Sequence, residues 1–321
     1  MEFITCNKYR DDEEGVFYEV SFKDASLEDA RGIACQHLCR NAGIDWKANA
    51  EALARLNEAF GQETISRFID EFCENYVACA IAETLDFYPF GRPRIVERNV
   101  EQDSEGAIVS LKVGFRRTPS YPLCSYDPLE IEVGEGEIDL ESKAKLVNER
   151  LLAMLDKKID VKDLQVCLED ETAKFFAMLE EKDMSVERYC KKGKTNEEGL
   201  RRALVKTSLQ KLTEEMALDA LYRKLGLSYS DEDMRQVLLR INPDDPKAAW
   251  VSMQKTNITH QAKQAAERQC ARRWLMTTAR FVAPAPSEDA AQEEEKPLDW
   301  SKAFAAITSG VEKAKAEAAK A

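Results

Sequence analysis

Histidine is nearly absent: His37 and His260 are the only two in 321 residues. Imidazole acid–base chemistry and histidine-rich metal sites therefore have almost nothing to build on. Cysteine is not scarce, but its nine copies, scattered from Cys6 to Cys270, are odd in number and include no C-x-x-C pair. That spacing fits a reducing cytoplasm better than a disulfide framework. No apolar run approaches the ~18 residues of a membrane span, and the acidic start, Met1 to Glu14, has neither basic flank nor apolar stretch, so neither export nor a membrane partner is expected. With 13 glycines and 10 prolines, a fibrous or largely disordered polymer is excluded. Phosphate-cradling, zinc-protease and nucleophile-elbow motifs are all missing, and no nucleophile can be matched with a base. The expectation is no catalytic residue, no metal, no cofactor and no enzyme.

What the chain does have is charge, and its distribution divides it. Residues 1–138 hold 14 basic against 27 acidic residues, 139–282 hold 27 against 24, and 283–321 hold 5 against 8. An acidic field of that size repels a phosphate backbone, so the first segment should not bind nucleic acid directly.

Hydrophobic period gives the fold class. Residues 2–9 and 16–22 flank the polar Arg10 to Gly15 as a hairpin, and Ser26 to Asp29 reads as a cap opening a helix to about Ala42. Helices are predicted from about Asn49 to Phe60 and again after Gly61, where Ile65, Phe68, Phe72, Tyr76 and Ile81 mark one face. Residues 94–97 and 107–115 then read as strands, followed by an extended Leu129 to Val133. From 139 onward the signals are helical: Val147 and Leu151; Leu164, Leu168 and Leu179; a long helix after Thr195-Asn196; another capped by Ser230 to Asp233 with Met234, Val237, Leu238 and Ile241; and two beyond Pro246, the last carrying Trp274, Leu275, Thr278 and Phe281. The expected fold is an α+β N-terminal domain of hairpin, helices and further strands over 1–138, followed by an all-α domain of extended helical arms over 139–282. Residues 283–321 read as an acidic Pro/Ala/Glu linker and a short amphipathic helix through Trp300, Phe304, Ile307 and Val311.

Two clusters invite a functional reading. Cys35-x-His37-x-Cys39 looks like metal ligands, but on a helix His37 points away from the two thiols, so small core residues plus a surface histidine are expected. The methionines are more suggestive, since all but the first fall between Met154 and Met276. Met is flexible and polarizable and lets an apolar surface fit many partners, although each one also serves as a gap-filler in helix packing. Phe175-Phe176 adds to this, because adjacent helical residues lie about 100° apart and one buried face does not cover both.

The segment Met184-Ser185-x-x-x-Tyr189-x-x-x-x-x-Thr195-x-Glu197-Glu198-x-Leu200-Arg201, with Gly193-Lys194 before the threonine, resembles bacterial trigger factor. So do the turn from Leu225 to Asp233, the Phe60-Gly61-Gln62-Glu63 stretch and the Pro89 to Ile95 run. The resemblance covers about 1–282 and implies an ATP-independent holdase that takes apolar segments of unfolded or nascent polypeptides into a cradle. The residues expected to line it are Phe175, Phe176, Met178, Met184, Tyr189, Met216, Tyr222, Trp250 and Met253. Two departures matter. Val133 leads almost directly into the helix at Leu140, leaving no room for the family's peptidyl-prolyl isomerase domain. The family's ribosome-docking loop would fall at Gly43-Ile44-Asp45-Trp46-Lys47, where only the glycine matches, so ribosome docking in the family's usual manner is not expected. The alternative function is a scaffold for one dedicated protein partner, anchored by Trp46 if that ring is exposed rather than folded onto its own domain. A homodimer remains open.

Overall fold

The computed structural model describes residues 3–46, 50–104, 106–133, 139–182 and 184–282. The expected tail helix at Trp300 to Val311, the linker before it and Lys47 of the altered loop lie outside the described residues.

The chain opens with a hairpin of β1 (Phe3–Asp12) and β2 (Gly15–Lys23). Its strands run further than the charged sequence suggests, because β1 is an edge strand and its Lys8, Arg10, Asp11 and Asp12 stand in water, paired as Lys8 with Asp11 at 2.9 Å and Arg10 with Asp12 at 3.0 Å. The turn is fixed by the Asp12 carboxylate, which accepts from the backbone N–H groups of Glu14 (2.9 Å) and Gly15 (3.3 Å). Gly15 sits at φ +151°, where an added Cβ would come 2.2 Å from the Phe115 carbonyl oxygen, so no other residue fits. Two longer strands, β3 (Arg94–Asp103) and β4 (Gly106–Phe115), complete an antiparallel sheet of order β1-β2-β4-β3.

Alternation along the strands decides which face is covered. Val20, Phe22, Val109, Leu111, Val113 and Phe115 turn inward against helices α1 (Glu28–Asn41) and α3 (Gln62–Ala82), meeting Cys73, Val77, Ala78 and Ile81. On the edge strand β3 an inward position is taken by Arg98, whose guanidinium lies 2.6 Å from Glu74 of α3. Helix α2 (Ala50–Phe60) closes a second small core of Leu38, Cys39, Ile44, Leu56 and Ile65. The capping motif expected at Ser26 is not formed. A 3-10 turn over Asp24–Leu27 absorbs that serine, whose hydroxyl donates to the Lys23 carbonyl, and α1 starts at Glu28 without a side-chain cap.

Beyond a short strand β5 (Glu130–Glu132) the chain is helical: α4 (Leu140–Leu152), α5 (Val161–Glu181), α6 (Val186–Lys192), α7 (Glu197–Lys224), α8 (Asp231–Ile241), α9 (Pro246–Lys255) and α10 (Thr259–Thr278). The cap expected over Ser230 to Asp233 is a full capping box, with Ser230 and Asp233 each accepting from the other's backbone N–H. Asn196 rather than Thr195 caps α7, accepting from the Gly199 N–H at 2.8 Å. Phe281, read as the end of the last helix, instead lies in a strand, β6 (Arg280–Val282), parallel to β5. The Ala279 N–H makes the final helical bond, to the Leu275 carbonyl at 2.9 Å, and the Arg280 N–H turns away to the Leu129 carbonyl at 2.8 Å.

An α+β N-terminal portion followed by helices is therefore the architecture, but its compact units interleave along the sequence. The first comprises Met1–Ser120, Phe176–Val186 and Gly226–Ala271; the second comprises Tyr121–Phe175, Glu187–Leu225 and the chain from Arg272. The boundary expected at 138 falls inside the second unit. Residues 226–271 belong with the sheet because Glu83, one position past α3, accepts from the Thr259 hydroxyl (2.7 Å), the His260 backbone N–H (2.8 Å) and lies 3.0 Å from His260 Nδ1. Tyr88 extends the same seam by donating to Glu267 at 2.9 Å. Val237, Leu238, Ala249, Met253, Ala262 and Ala266 supply the core shared by α8, α9 and α10.

In the second unit, the Tyr121 hydroxyl donates to Asp163 (2.6 Å) and accepts from the Asp160 N–H (2.8 Å), fixing the start of α5. Burial and the neighbouring Asp163 push this phenol up to about 12. Since the folded state favours the protonated form, its contribution is full below the ordinary tyrosine value of ~10 and fades as pH rises from there through about 12. Tyr121→Phe leaves the Asp160 N–H without that acceptor and is expected to cost about 1–2 kcal/mol in urea unfolding at pH 7. An unchanged midpoint would show the bond to be energetically idle.

Candidate functional site

The nine side chains expected to receive a client divide between the units. Phe175, Tyr189, Met216 and Tyr222 belong to the second, and Phe176, Met178, Met184, Trp250 and Met253 to the first. Phe175 of α5 and Tyr189 of α6 meet edge to face, with ring centroids 5.0 Å apart and planes at 81°. Their neighbour Phe176 keeps 50% of its surface in solvent, as the 100° rotation between adjacent helical residues requires. Met178 and Met184 are half-buried at the end of α5, where the Leu179 carbonyl accepts from the Met184 N–H at 2.9 Å. Tyr222 is half-buried, and Trp250 packs against the core of α8, α9 and α10.

Two of the nine are packing residues. Met216 on α7 has no accessible surface and Met253 is buried within the same core as Trp250, so neither side chain reaches a ligand in this conformation. Flexible, unbranched Met fills gaps in helix packing as readily as it lines a binding surface, and here the packing role accounts for both. The sequence reading missed Ile241 and Val251, which expose 53% and 47%. Ile241 belongs to the apolar stripe of α8 by period but is the last residue of that helix. Val251 follows Trp250 as Phe176 follows Phe175, so the adjacency rule that singled out the phenylalanines applied there too.

The altered loop is a helix terminus. Ile44 N–H bonds the Cys39 carbonyl (2.8 Å) and Gly43 N–H the Arg40 carbonyl (3.2 Å), a Schellman motif with Gly43 in the required left-handed conformation at φ +65°. Ile44 is buried, Asp45 is exposed, and Trp46 folds back half-buried onto the small core that includes Leu38 and Leu56. The indole thus contacts its own domain, the second of the two positions considered for it.

Thiol chemistry has little support. All nine cysteines are free; Cys35 and Cys39 are buried on one face of α1, while His37 is exposed with its ring 6.3 Å from that of Phe72. Burial pushes the thiols of Cys73, Cys79 and Cys167 up to about 11, which keeps them protonated and unreactive at neutral pH. Among the described residues no three His, Cys, Asp or Glu side chains gather as a metal site. No helix among them is long and apolar enough to cross a membrane.

No family model matches this chain, and no curated protein does. One solved structure, of the trigger factor chaperone described by promiscuous substrate recognition in folding and assembly, aligns over 85% of this chain and 99% of its own. The identity is 11% and the TM-score 0.36. A likeness of that size does not establish a shared fold.

Proposed function

We propose that this chain is an ATP-independent holdase that captures apolar segments of non-native polypeptides, without isomerase or other catalytic activity. The observation that carries the reading is the half-exposed apolar side chains of the helical segments: Phe176, Ile241 and Val251, each with about half its surface in water. Such groups gain ~25 cal/mol for each Å² of apolar area that a bound segment covers. Half-buried Met178 on α5 and Met184 just beyond its end supply adaptable side chains close to Phe176 in sequence. The sequence resemblance of residues 184–201 to trigger factor supports the same assignment, and in this chain that stretch is α6, its turn and the start of α7. Capture of this kind acts by mass action, holding unfolded chains away from one another.

The test is aggregation. Sub-stoichiometric amounts should leave light scattering of several unrelated denatured proteins nearly unchanged, and near-equimolar amounts should suppress it with no nucleotide added. Suppression restricted to one protein would favour the dedicated scaffold instead, and no suppression of any would remove the assignment.

A further inference from the structure

The second unit carries a basic surface at the end of α6. Residues 186–206 contain seven Lys or Arg against three Glu, in a chain whose net charge is −13. Farther along, Arg201 and Arg202 are paired with Glu197 and Glu198 one turn back on α7. Lys191, Lys192 and Lys194 are exposed and have no acidic partner among the described residues. Nor are these lysines needed to close the helix. The Thr195 N–H bonds the Cys190 carbonyl (3.0 Å) and the Lys194 N–H the Lys191 carbonyl (3.3 Å), so a Schellman turn already caps α6 with backbone groups. Lys194 occupies the left-handed position of that turn at φ +51°, which glycine adopts at less cost, while Gly193 beside it has an ordinary φ. Tyr189, three residues before Lys192, shares its face of α6 and meets the Phe175 ring edge to face. The surface thus joins ammonium groups to aromatic faces and edges.

Complementary chemistry lies in the same chain. Glu288, Asp289, Glu293, Glu294, Glu295 and Asp299 precede Trp300 and Phe304, with Lys296 the only base from 287 to 300. We propose that residues 288–304 dock on the end of α6 of their own chain, the carboxylates meeting Lys191, Lys192 and Lys194, and the aromatic rings meeting Tyr189 and Phe175. Carboxylate–ammonium contacts on an exposed surface are weak individually, and lysine over an indole face adds to them. Tethering converts the weak set into a favourable intramolecular one by raising the effective concentration. Trp300 lies eighteen positions beyond Val282, which at ~3.3–3.6 Å per residue reaches about 60 Å, more than the roughly 42 Å of α7 at 1.5 Å per residue. Val282 and α6 belong to the same compact unit. This docking stands independently of the holdase assignment.

Zero-length carbodiimide cross-linking of the full chain, as a mixture of isotope-labelled and unlabelled protein, tests it. Products should join Lys191, Lys192 or Lys194 to the acids between 288 and 299 within one chain. W300A/F304A should lower their yield at least threefold, and a charge-swapped chain, K191E/K192E/K194E with E293K/E294K/E295K, should restore cross-links between the same segments. The proposal is overturned if those lysines give no tail products, or if products form only between labelled and unlabelled chains, which would make the surface a contact between copies. It is overturned equally if W300A/F304A leaves the yield unchanged.

Discussion

Met216→Ala is expected to lower the unfolding free energy by about 2–5 kcal/mol, whereas Phe176→Ser should cost only about 1 kcal/mol. The asymmetry follows from burial. Met216 has no accessible surface on α7, so truncating it removes apolar contacts and leaves a cavity that its helical neighbours fill only in part. Phe176 already stands half in water on α5. Chaperone activity should divide the other way. Per folded molecule, Met216→Ala should suppress aggregation as well as the parent, and Phe176→Ser, with Ile241→Ser and Val251→Ser added, should suppress it several-fold less. Urea titration and light scattering on the same preparations decide the matter; equal activity in the triple-serine variant would detach client capture from these exposed groups.

Removing Glu83 should have the second large effect. Its carboxylate accepts from the Thr259 hydroxyl and the His260 N–H in the first turn of α10, lies against the His260 ring and has Lys263 Nζ at 3.9 Å. Burial works to raise this carboxyl, but the hydrogen bonds from Thr259 and His260 together outweigh it and hold it below the ordinary carboxylate range. Glu83→Ala is expected to cost about 1.5–3 kcal/mol at pH 7, the range for hydrogen bonds to a charged group. Because the folded state favours the ionised form, that contribution is complete above the ordinary value of ~4.3. It declines as pH falls below ~4.3 towards Glu83's own lower value. The gap between parent and variant should therefore narrow from pH 7 to pH 3.5, and amide exchange at 259–262 should be faster in the variant. A gap that persists unchanged at pH 3.5 would assign the loss to packing rather than to the charge.

Much of the secondary structure was legible from hydrophobic period, because alternation in β2 and β4 and the 3.6-residue repeat in α3, α5 and α8 follow directly from which face is buried. Local chemistry was less reliable where two local solutions compete. Ser26 has the spacing of a cap but is taken up by a 3-10 turn, while Ser230 with the same spacing forms a full capping box. Strand β6 could not be seen at all, since three residues have no periodicity and its partner, β5, lies far away along the chain. Site residues were the least legible. Period marks Met216, Met253 and Ile241 alike as apolar positions, and only tertiary packing separates the two that are sealed from the one that is not. Likewise nothing in Thr259-His260 announces that a carboxylate from the end of α3 will cap the helix they begin.

The pairing of β5 with β6 also bears on how the protein is made. Ile131 must wait for Phe281 before their strands can join. At ~5–20 residues per second, a translating ribosome needs roughly 8–30 s to polymerise the intervening stretch. Through that interval the emerging second unit has one strand without its mate, and its last step of assembly comes only as synthesis nears the end of α10 and passes it.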